Sequence, residues 1–367
     1  MTAAMNHPNV NELRIGILTN HLNNIDGVSK HIFNLVNGLK QLSPSIYCVV
    51  ISEGGNFVET YKENGIETIL MEDFSHDNRN PINFLKNILL ANNFVNKYGL
   101  TILHSHNHYH ANIARAVQYF CKVKTVQTNH GIIPRVGLIP HYAADKLIAV
   151  NQHIVDYFSN KKQFPSGKFD FIRCGIPKET SLVKKINSPI KFIAAGRMVK
   201  EKGFDIYIKA AATIKEQVTI PTEFLLAGTG DEFTELTKLN NVLHNPVTLL
   251  GDVKNLPELF QQTHVLINPS RSMSEGFPCT IVEAVFRDNF LITSLFNGIE
   301  CDFDKNIDGY AFKVDDEQAL IQCILSYLNN REEADQRAAK FSKKARSLFS
   351  QQLMAEKTLS LYSQMLE

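Results

Sequence analysis

The chain has 367 residues, 38 Lys and Arg against 37 Asp and Glu, 44% hydrophobic residues and 20% charged ones. At roughly 100–200 residues per domain this suggests about two domains with ample material for a core. The composition excludes a disordered chain, and the formal charge of +1 excludes the strongly basic face of a dedicated nucleic-acid binder.

From the N-terminus, the polar stretch Met1–Glu12 lacks the apolar segment of a signal peptide. Leu13–Thr19 then reads as a buried strand. The turn Asn20–Gly27 and an amphipathic segment Val28–Leu42 follow. Further strands are expected at Ile46–Ser52, Ile66–Met71, Ile102–Ser105, Thr125–Thr128 and Leu147–Val150, with helices at Asn56–Asn64, Pro81–Tyr98, Ala111–Cys121 and Gln152–Phe158, the last capped by Asn151. This alternation predicts a doubly wound α/β sheet with parallel strands.

Gly175, Pro177, Ser181, Asn187, Ser188 and Pro189 break the pattern and mark a linker. The alternation then restarts, with strands at Lys191–Ala195, Glu223–Ala227, Val247–Leu250, Val265–Ile267 and Phe290–Thr293. Helices fall at Phe204–Gln217, Phe233–Leu239, Leu256–Gln262 and Cys279–Arg287, and Gln318–Leu366 is helical nearly throughout. The expected domains are 1–180, 181–349, and a C-terminal helix 350–367 packing back on the first. Two such sheets bind ligands outside the carboxyl ends of their strands, leaving a cleft between them. No apolar run reaches the roughly 18 residues of a membrane span. Six scattered cysteines (48, 121, 174, 279, 301, 323) read as buried reduced thiols of a cytosolic protein, with neither disulfide nor zinc spacing. Residues 1–180 hold 17 Lys and Arg against 13 Asp and Glu, and residues 181–367 hold 21 against 24. The excess in the first half suits an acidic membrane surface, or is scatter of a few charges.

Four constellations carry candidate chemistry. In Ser274-Glu275-Gly276-Phe277-Pro278-Cys279-Thr280-Ile281-Val282-Glu283, Pro278 suits a first helical position and the following amides suit a phosphate. Glu275 and Glu283 can accept hydrogen bonds from sugar hydroxyls on either side of it; the alternative is a capped surface helix with two solvated acids. In Gly196-Arg197-Met198-Val199-Lys200-Glu201-Lys202-Gly203, Arg197 and Lys202 can clamp a diphosphate at a strand end, as a fork and a point charge, or form a basic surface turn. Gly27 after the first strand lets a backbone approach a phosphate, but the spaced glycines of a dinucleotide fingerprint are absent. In His104-Ser105-His106-Asn107-His108-Tyr109-His110, alternate residues of an extended chain share a face, which invites a metal cluster. The run passes from strand into loop and helix, however, and no carboxylate follows before Asp145, so no metal site is expected there. One histidine at the strand end, with His130 at the next, would face the cleft. Gly228-Thr229-Gly230-Asp231 and Gly251-Asp252-Val253 are strand-end turns suited to a nucleobase or merely tight turns. Asp302-Phe303-Asp304 has the spacing of metal-dependent sugar transferases but lies away from any clear strand end.

In this order the motifs resemble retaining glycosyltransferase family four, with the two-domain GT-B fold. The resemblance is carried by Glu275-x7-Glu283, by Gly196–Gly203, by Ala144–Val150 and by Gly228-Thr229-Gly230, and ordered agreement strengthens each motif. It implies that Glu283 holds the donor ribose and that Glu275 contacts the transferred sugar. Arg197 and Lys202 bind the diphosphate, Gly27 approaches the phosphates, His106 touches the sugar near the reacting carbon, and Asp252 and Val253 border the base. Gly276, Phe277, Cys279 and Thr280 complete the donor site. Cys174-Gly175-Ile176-Pro177 stands where the family often has Asn-Gly-Ile-Asp, and Arg287-Asp288-Asn289 where it prefers Gly-x-Pro.

The activity so implied is retaining transfer of a hexose from a nucleotide sugar, of the UDP type, to a hydroxyl acceptor. It requires no metal and no cofactor beyond the nucleotide-sugar co-substrate. The acceptor would be a saccharide or lipid-linked sugar of surface polysaccharide or glycolipid synthesis, met in the cytoplasm, with peripheral contact to an acidic inner membrane face and no nucleic-acid partner. The rivals are a nucleotide-sugar epimerase or hydrolase on the same fold, a metallohydrolase on His104–His110, and an inactive nucleotide-sugar-binding subunit.

Overall fold

The computed structural model describes residues 13–24, 26–132, 142–159, 167–178, 188–271, 278–296 and 298–367. They form two compact units, Met1–Pro177 with Ser350–Glu367, and Lys178–Phe349.

In the first unit, near-continuous apolar runs become strands buried on both faces, as parallel sheets require. The strands are β1 (Arg14–Leu18), β2 (Tyr47–Ser52), β3 (Glu67–Leu70), β4 (Ile102–Ser105), β5 (Lys124–Asn129), β6 (Lys146–Ala149) and β7 (Phe169–Phe171), in the order β3-β2-β1-β4-β5-β6-β7. All pairs are parallel. The helices are α1 (Gly27–Leu42), α2 (Val58–Glu63), α3 (Pro81–Tyr98), α4 (His108–Val117) and α5 (Gln152–Ser159). Helix α4 starts three residues before its expected Ala111 because the Asn107 side chain caps it, accepting from the His110 amide at 2.9 Å. The Asp145 carboxylate accepts from both the amide and the hydroxyl of Thr125 at 3.0 Å. The motif-like run 144–150 therefore ties β6 to β5.

The second unit repeats the plan with β8 (Ile190–Ala195), β9 (Thr222–Ala227), β10 (Thr248–Gly251), β11 (Val265–Asn268), β12 (Phe290–Ser294) and β13 (Gly309–Phe312), in the order β10-β9-β8-β11-β12-β13, all parallel. Its helices are α6 (Phe204–Gln217), α7 (Phe233–Val242), α8 (Leu256–Gln261), α9 (Cys279–Val285), α10 (Glu317–Asn329) and α11 (Arg331–Leu348). In each unit the order reverses beside the first strand, which makes the carboxyl ends of β1 and β4, and of β8 and β11, the crevices where such sheets bind ligands.

The final helix α12 (Gln351–Leu366) belongs to the first unit. It is capped by Ser350 and buries Met354, Ala355, Leu359, Leu361, Tyr362 and Met365 in the core of that unit. Gly38 of α1 lets it approach: a Cβ there would lie 2.9 Å from that of Ala355. The Gln351 amide side chain donates to Asn34 O at 2.8 Å. The tail Gln318–Leu366, expected to be helical nearly throughout, is interrupted at Asn330 and at Phe349–Ser350.

Two further corrections concern short or exposed pieces. Strands β7 and β13 went unpredicted because they are edge strands of only three and four residues, β7 half-buried throughout and β13 buried only at its ends. The expectation of six buried cysteines fails as well. Cys48 and Cys174 are buried, but Cys121, Cys279 and Cys323 are half-buried and Cys301, on the turn after β12, is exposed. No helix among the described residues is long and apolar enough to cross a membrane.

Candidate active site

Four strand ends of the second unit meet around Gly196–Gly203. Gly196 N donates to Ala227 O at 3.0 Å, Met198 N to Thr229 O at 2.7 Å, and Gly228 N to Gly251 O at 2.7 Å. These bonds sew together the turns after β8, β9 and β10. Arg197 is exposed on this turn. Lys202 is half-buried and ends a single 3₁₀ turn, Lys200–Lys202, which Gly203 closes at φ +65°. A Cβ on Gly203 would fall 2.2 Å from Pro269 O, so the basic turn lies directly on the chain leaving β11.

Arg271 fastens that contact. Its amide donates to Glu201 O at 2.6 Å and its Nη1 to Lys200 O at 3.0 Å. The guanidinium also forks onto Asp205, at the start of α6, at 2.7 and 3.0 Å, and donates to Asp315. Burial alone would raise the Asp205 carboxyl, yet the hydrogen bonds and charge of Arg271 carry it below its ordinary value. The same bonds raise Arg271 further. Arg271 thus joins the turn bearing Lys202 to the segment that leads towards Glu275. Sequence reasoning missed it, because nothing in local spacing relates an arginine to an aspartate 66 positions earlier.

Glu275, Gly276 and Phe277 lie outside the described residues. Beyond them Pro278 takes ψ 131° and is the cap of α9, not its first helical residue as expected. Cys279 and Thr280 occupy the first turn, half-buried. Glu283, one turn on, is 8% exposed. The helix ends at Val285, two residues before the expected Arg287, whose Nη1 donates to Glu283 O at 2.6 Å. Burial, with Arg346 beside it, pushes Arg287 down to about 10. Asp252 is exposed and Val253 half-buried at the end of β10, on the same rim as Gly228–Gly230. Asp304 serves its own loop, its carboxylate accepting from Asn306 N at 2.8 Å.

In the first unit, the Asp26 carboxylate caps α1, accepting from Ser29 N at 3.0 Å and Ser29 Oγ at 2.9 Å. Gly27 is the exposed first residue of the helix, and a Cβ built on it meets nothing within 4 Å. The fold therefore does not require glycine there. The histidine run divides as its passage from strand to helix predicts. His104 bonds Tyr362 Oη at 2.6 Å and Thr128 Oγ1 at 2.7 Å. His110 contacts Phe74 O and Asn107 Oδ1, each at 2.9 Å. His106, just past β4, is buried and its Nδ1 lies 3.0 Å from Nε2 of His130, just past β5. His31 of α1, which sequence reasoning did not single out, packs against both. Its ring centroid is 5.4 Å from that of His106 and 4.8 Å from that of His130. Burial pushes His104, His110 and His130 each down to about 3, and carries His31 and His106 down likewise, so all five rings are neutral near pH 7.

Residues 178–348 match the family model described as glycosyl transferases group 1, and residues 25–180 match that of glycosyltransferase family 4. Over 166 residues the chain is 28% identical to the Escherichia coli UDP-Gal:alpha-D-GlcNAc-diphosphoundecaprenol alpha-1,3-galactosyltransferase, covering 44% of this chain and 42% of that one. It is 24% identical over 172 residues to the amylovoran biosynthesis glycosyltransferase AmsK of Erwinia amylovora, at the same coverage. The chain thus aligns with less than half the length of these curated relatives. A glycosyltransferase from Rickettsia africae superposes with a TM-score of 0.77 at 19% identity, over 96% of this chain and 99% of that one. Anabaena HepE in complex with UDP-glucose superposes with a TM-score of 0.79 at 15% identity, over 96% and 100%. One family match falls on each unit, in the expected order, and the chain belongs to glycosyltransferase family 4, with the GT-B fold.

Proposed function

We propose that the protein is a retaining glycosyltransferase that moves a hexose from a UDP-sugar to a hydroxyl acceptor. The observation that carries this reading is the rim of the second unit. There the turn bearing Arg197 and Lys202 is bonded to the β9 turn, which is itself bonded to the end of β10, and is stapled by Arg271 to the chain that leads towards Glu275 and α9. Two cations held at the sheet's switch point suit a diphosphate, and a nearly buried carboxylate one helical turn into α9 suits a ribose hydroxyl. One relative named for UDP-galactose, and a fold neighbour crystallised with UDP-glucose, favour uridine as the base.

In this mechanism the bond from the anomeric carbon to the diphosphate breaks as positive charge develops on the sugar ring. Arg197 and Lys202 stabilise the departing diphosphate from fixed positions, which is electrostatic preorganisation. The transfer itself needs no metal, because these side chains supply the countercharge. The acceptor hydroxyl attacks the face the diphosphate leaves, and the leaving phosphate takes its proton; no enzymic nucleophile enters. Glu275, Gly276, Phe277, Cys279 and Thr280 bind the donor, and Asp252 and Val253 border the base. His106 and Gly27 are carried as donor contacts by the family resemblance alone. The acceptor is a saccharide or lipid-linked sugar, reached in the cytoplasm at the inner membrane face.

Titration calorimetry with UDP tests the donor site. Glu283→Ala is expected to weaken UDP by about 10–100-fold, the worth of a hydrogen bond to a charged group; an unaltered dissociation constant would remove its ribose role. Gly27→Ala separates fold from function. Thermal stability should hold or rise slightly, since Ala is the better helix former, while KM for the donor rises as the methyl blocks close approach. An unchanged KM would exclude Gly27 from phosphate contact.

A further inference from the structure

We propose that His31, His106 and His130 form a binding site for one divalent transition-metal ion of the imidazole-preferring kind, zinc above all. The three residues come from α1 and from the ends of β4 and β5, at the switch point of the first sheet. Each offers one ring nitrogen, and these nitrogens all lie within 4.8 Å of one another. Nitrogens bound tetrahedrally to zinc at about 2.0–2.1 Å stand about 3.4 Å apart. His106 Nδ1 and His130 Nε2 are already 3.0 Å apart, so modest ring rotation by His31 completes a three-histidine face.

A second observation points to a ligand. Nδ1 of His31 is buried and no hydrogen bond reaches it, in a side chain only 3% exposed. Leaving a buried polar atom unsatisfied costs about 1–3 kcal/mol, and an ion that takes an imidazole lone pair offsets that cost. Imidazole ligands without thiolate or carboxylate favour zinc, copper and nickel over magnesium, calcium or manganese. His130 is the half-exposed member, leaving the fourth position to water or an anion, as in open three-ligand zinc sites. The site differs from the His104–His110 cluster weighed from sequence: of that run only His106 takes part.

Equilibrium dialysis of the tag-free, chelator-stripped chain against Zn²⁺ tests this. One ion per chain is expected, with affinity reduced more than about 100-fold in His31→Phe and in His130→Phe, and unchanged in His244→Ala, an exposed histidine of the second unit. Circular dichroism confirms that each variant is folded. Should the variants unfold, Co²⁺ bound to the native chain reads the coordination directly: intense visible bands mark the expected four- or five-coordinate nitrogen site. Zinc at background level, full retention in folded His31→Phe, or the weak spectrum of octahedral Co²⁺ would each overturn the proposal.

Discussion

Lys202→Ala is expected to lower turnover by about 10²–10³-fold, the usual cost of removing one preorganised donor from a developing negative charge. Protein stability should move by less than about 1 kcal/mol, because the turn around the side chain is held by main-chain bonds. Gly203 N donates to Lys200 O at 3.2 Å, Lys202 N to Val199 O at 3.0 Å, and Arg271 N to Glu201 O at 2.6 Å. Lys202→Arg keeps the charge but exchanges a point charge for a wider fork, so it should recover only part of the rate. A steady-state transfer assay with a UDP-sugar decides the matter. Wild-type turnover in the alanine variant would remove the diphosphate clamp, and with it the electrostatic half of the proposed mechanism.

The α/β alternation was legible because parallel strands buried on both faces must be apolar throughout, and the helices between them show one apolar face. Helices α3 and α6 and strand β4 fall on their expected residues for this reason. Legibility fails where burial is partial, as in β7 and β13, or where one polar side chain moves a boundary, as Asn107 does for α4. The candidate site residues follow the same logic. Arg197 and Lys202 were visible because one turn carries both, and Glu283 because it shares a segment with Glu275. Arg271 with Asp205, and His31 with His106 and His130, were invisible because their partners come together only when distant strand ends become neighbours in the sheet. The alternating histidines illustrate the converse. Their spacing is regular along the chain, yet the change from strand to helix between Ser105 and His108 sends His104 to Tyr362 and His110 to Phe74.

Gly228→Ala should be the most destabilising single-methyl change on the rim, at about 2–6 kcal/mol, the sum of a strained backbone and an overpacked contact. Gly228 has φ +132°, and an added Cβ would stand 2.0 Å from Gly196 O and 3.0 Å from Gly196 C. The obstacle is main chain, so no rotamer change relieves it. Relief would require the β8 and β9 turns to separate, which opposes the bonds from Gly196 N to Ala227 O and from Met198 N to Thr229 O. The effect should therefore be double: a melting temperature lower by roughly 5 °C or more, and weakened UDP binding at temperatures where the variant is still folded, because the displaced turn carries Arg197 and Lys202. Gly27→Ala supplies the contrast, since its methyl meets open space and leaves the melting temperature in place. A Gly228→Ala protein that melts with the wild type and binds UDP equally well would show that the two turns are not locked together. The cations would then lack the fixed placement on which their proposed catalytic role depends.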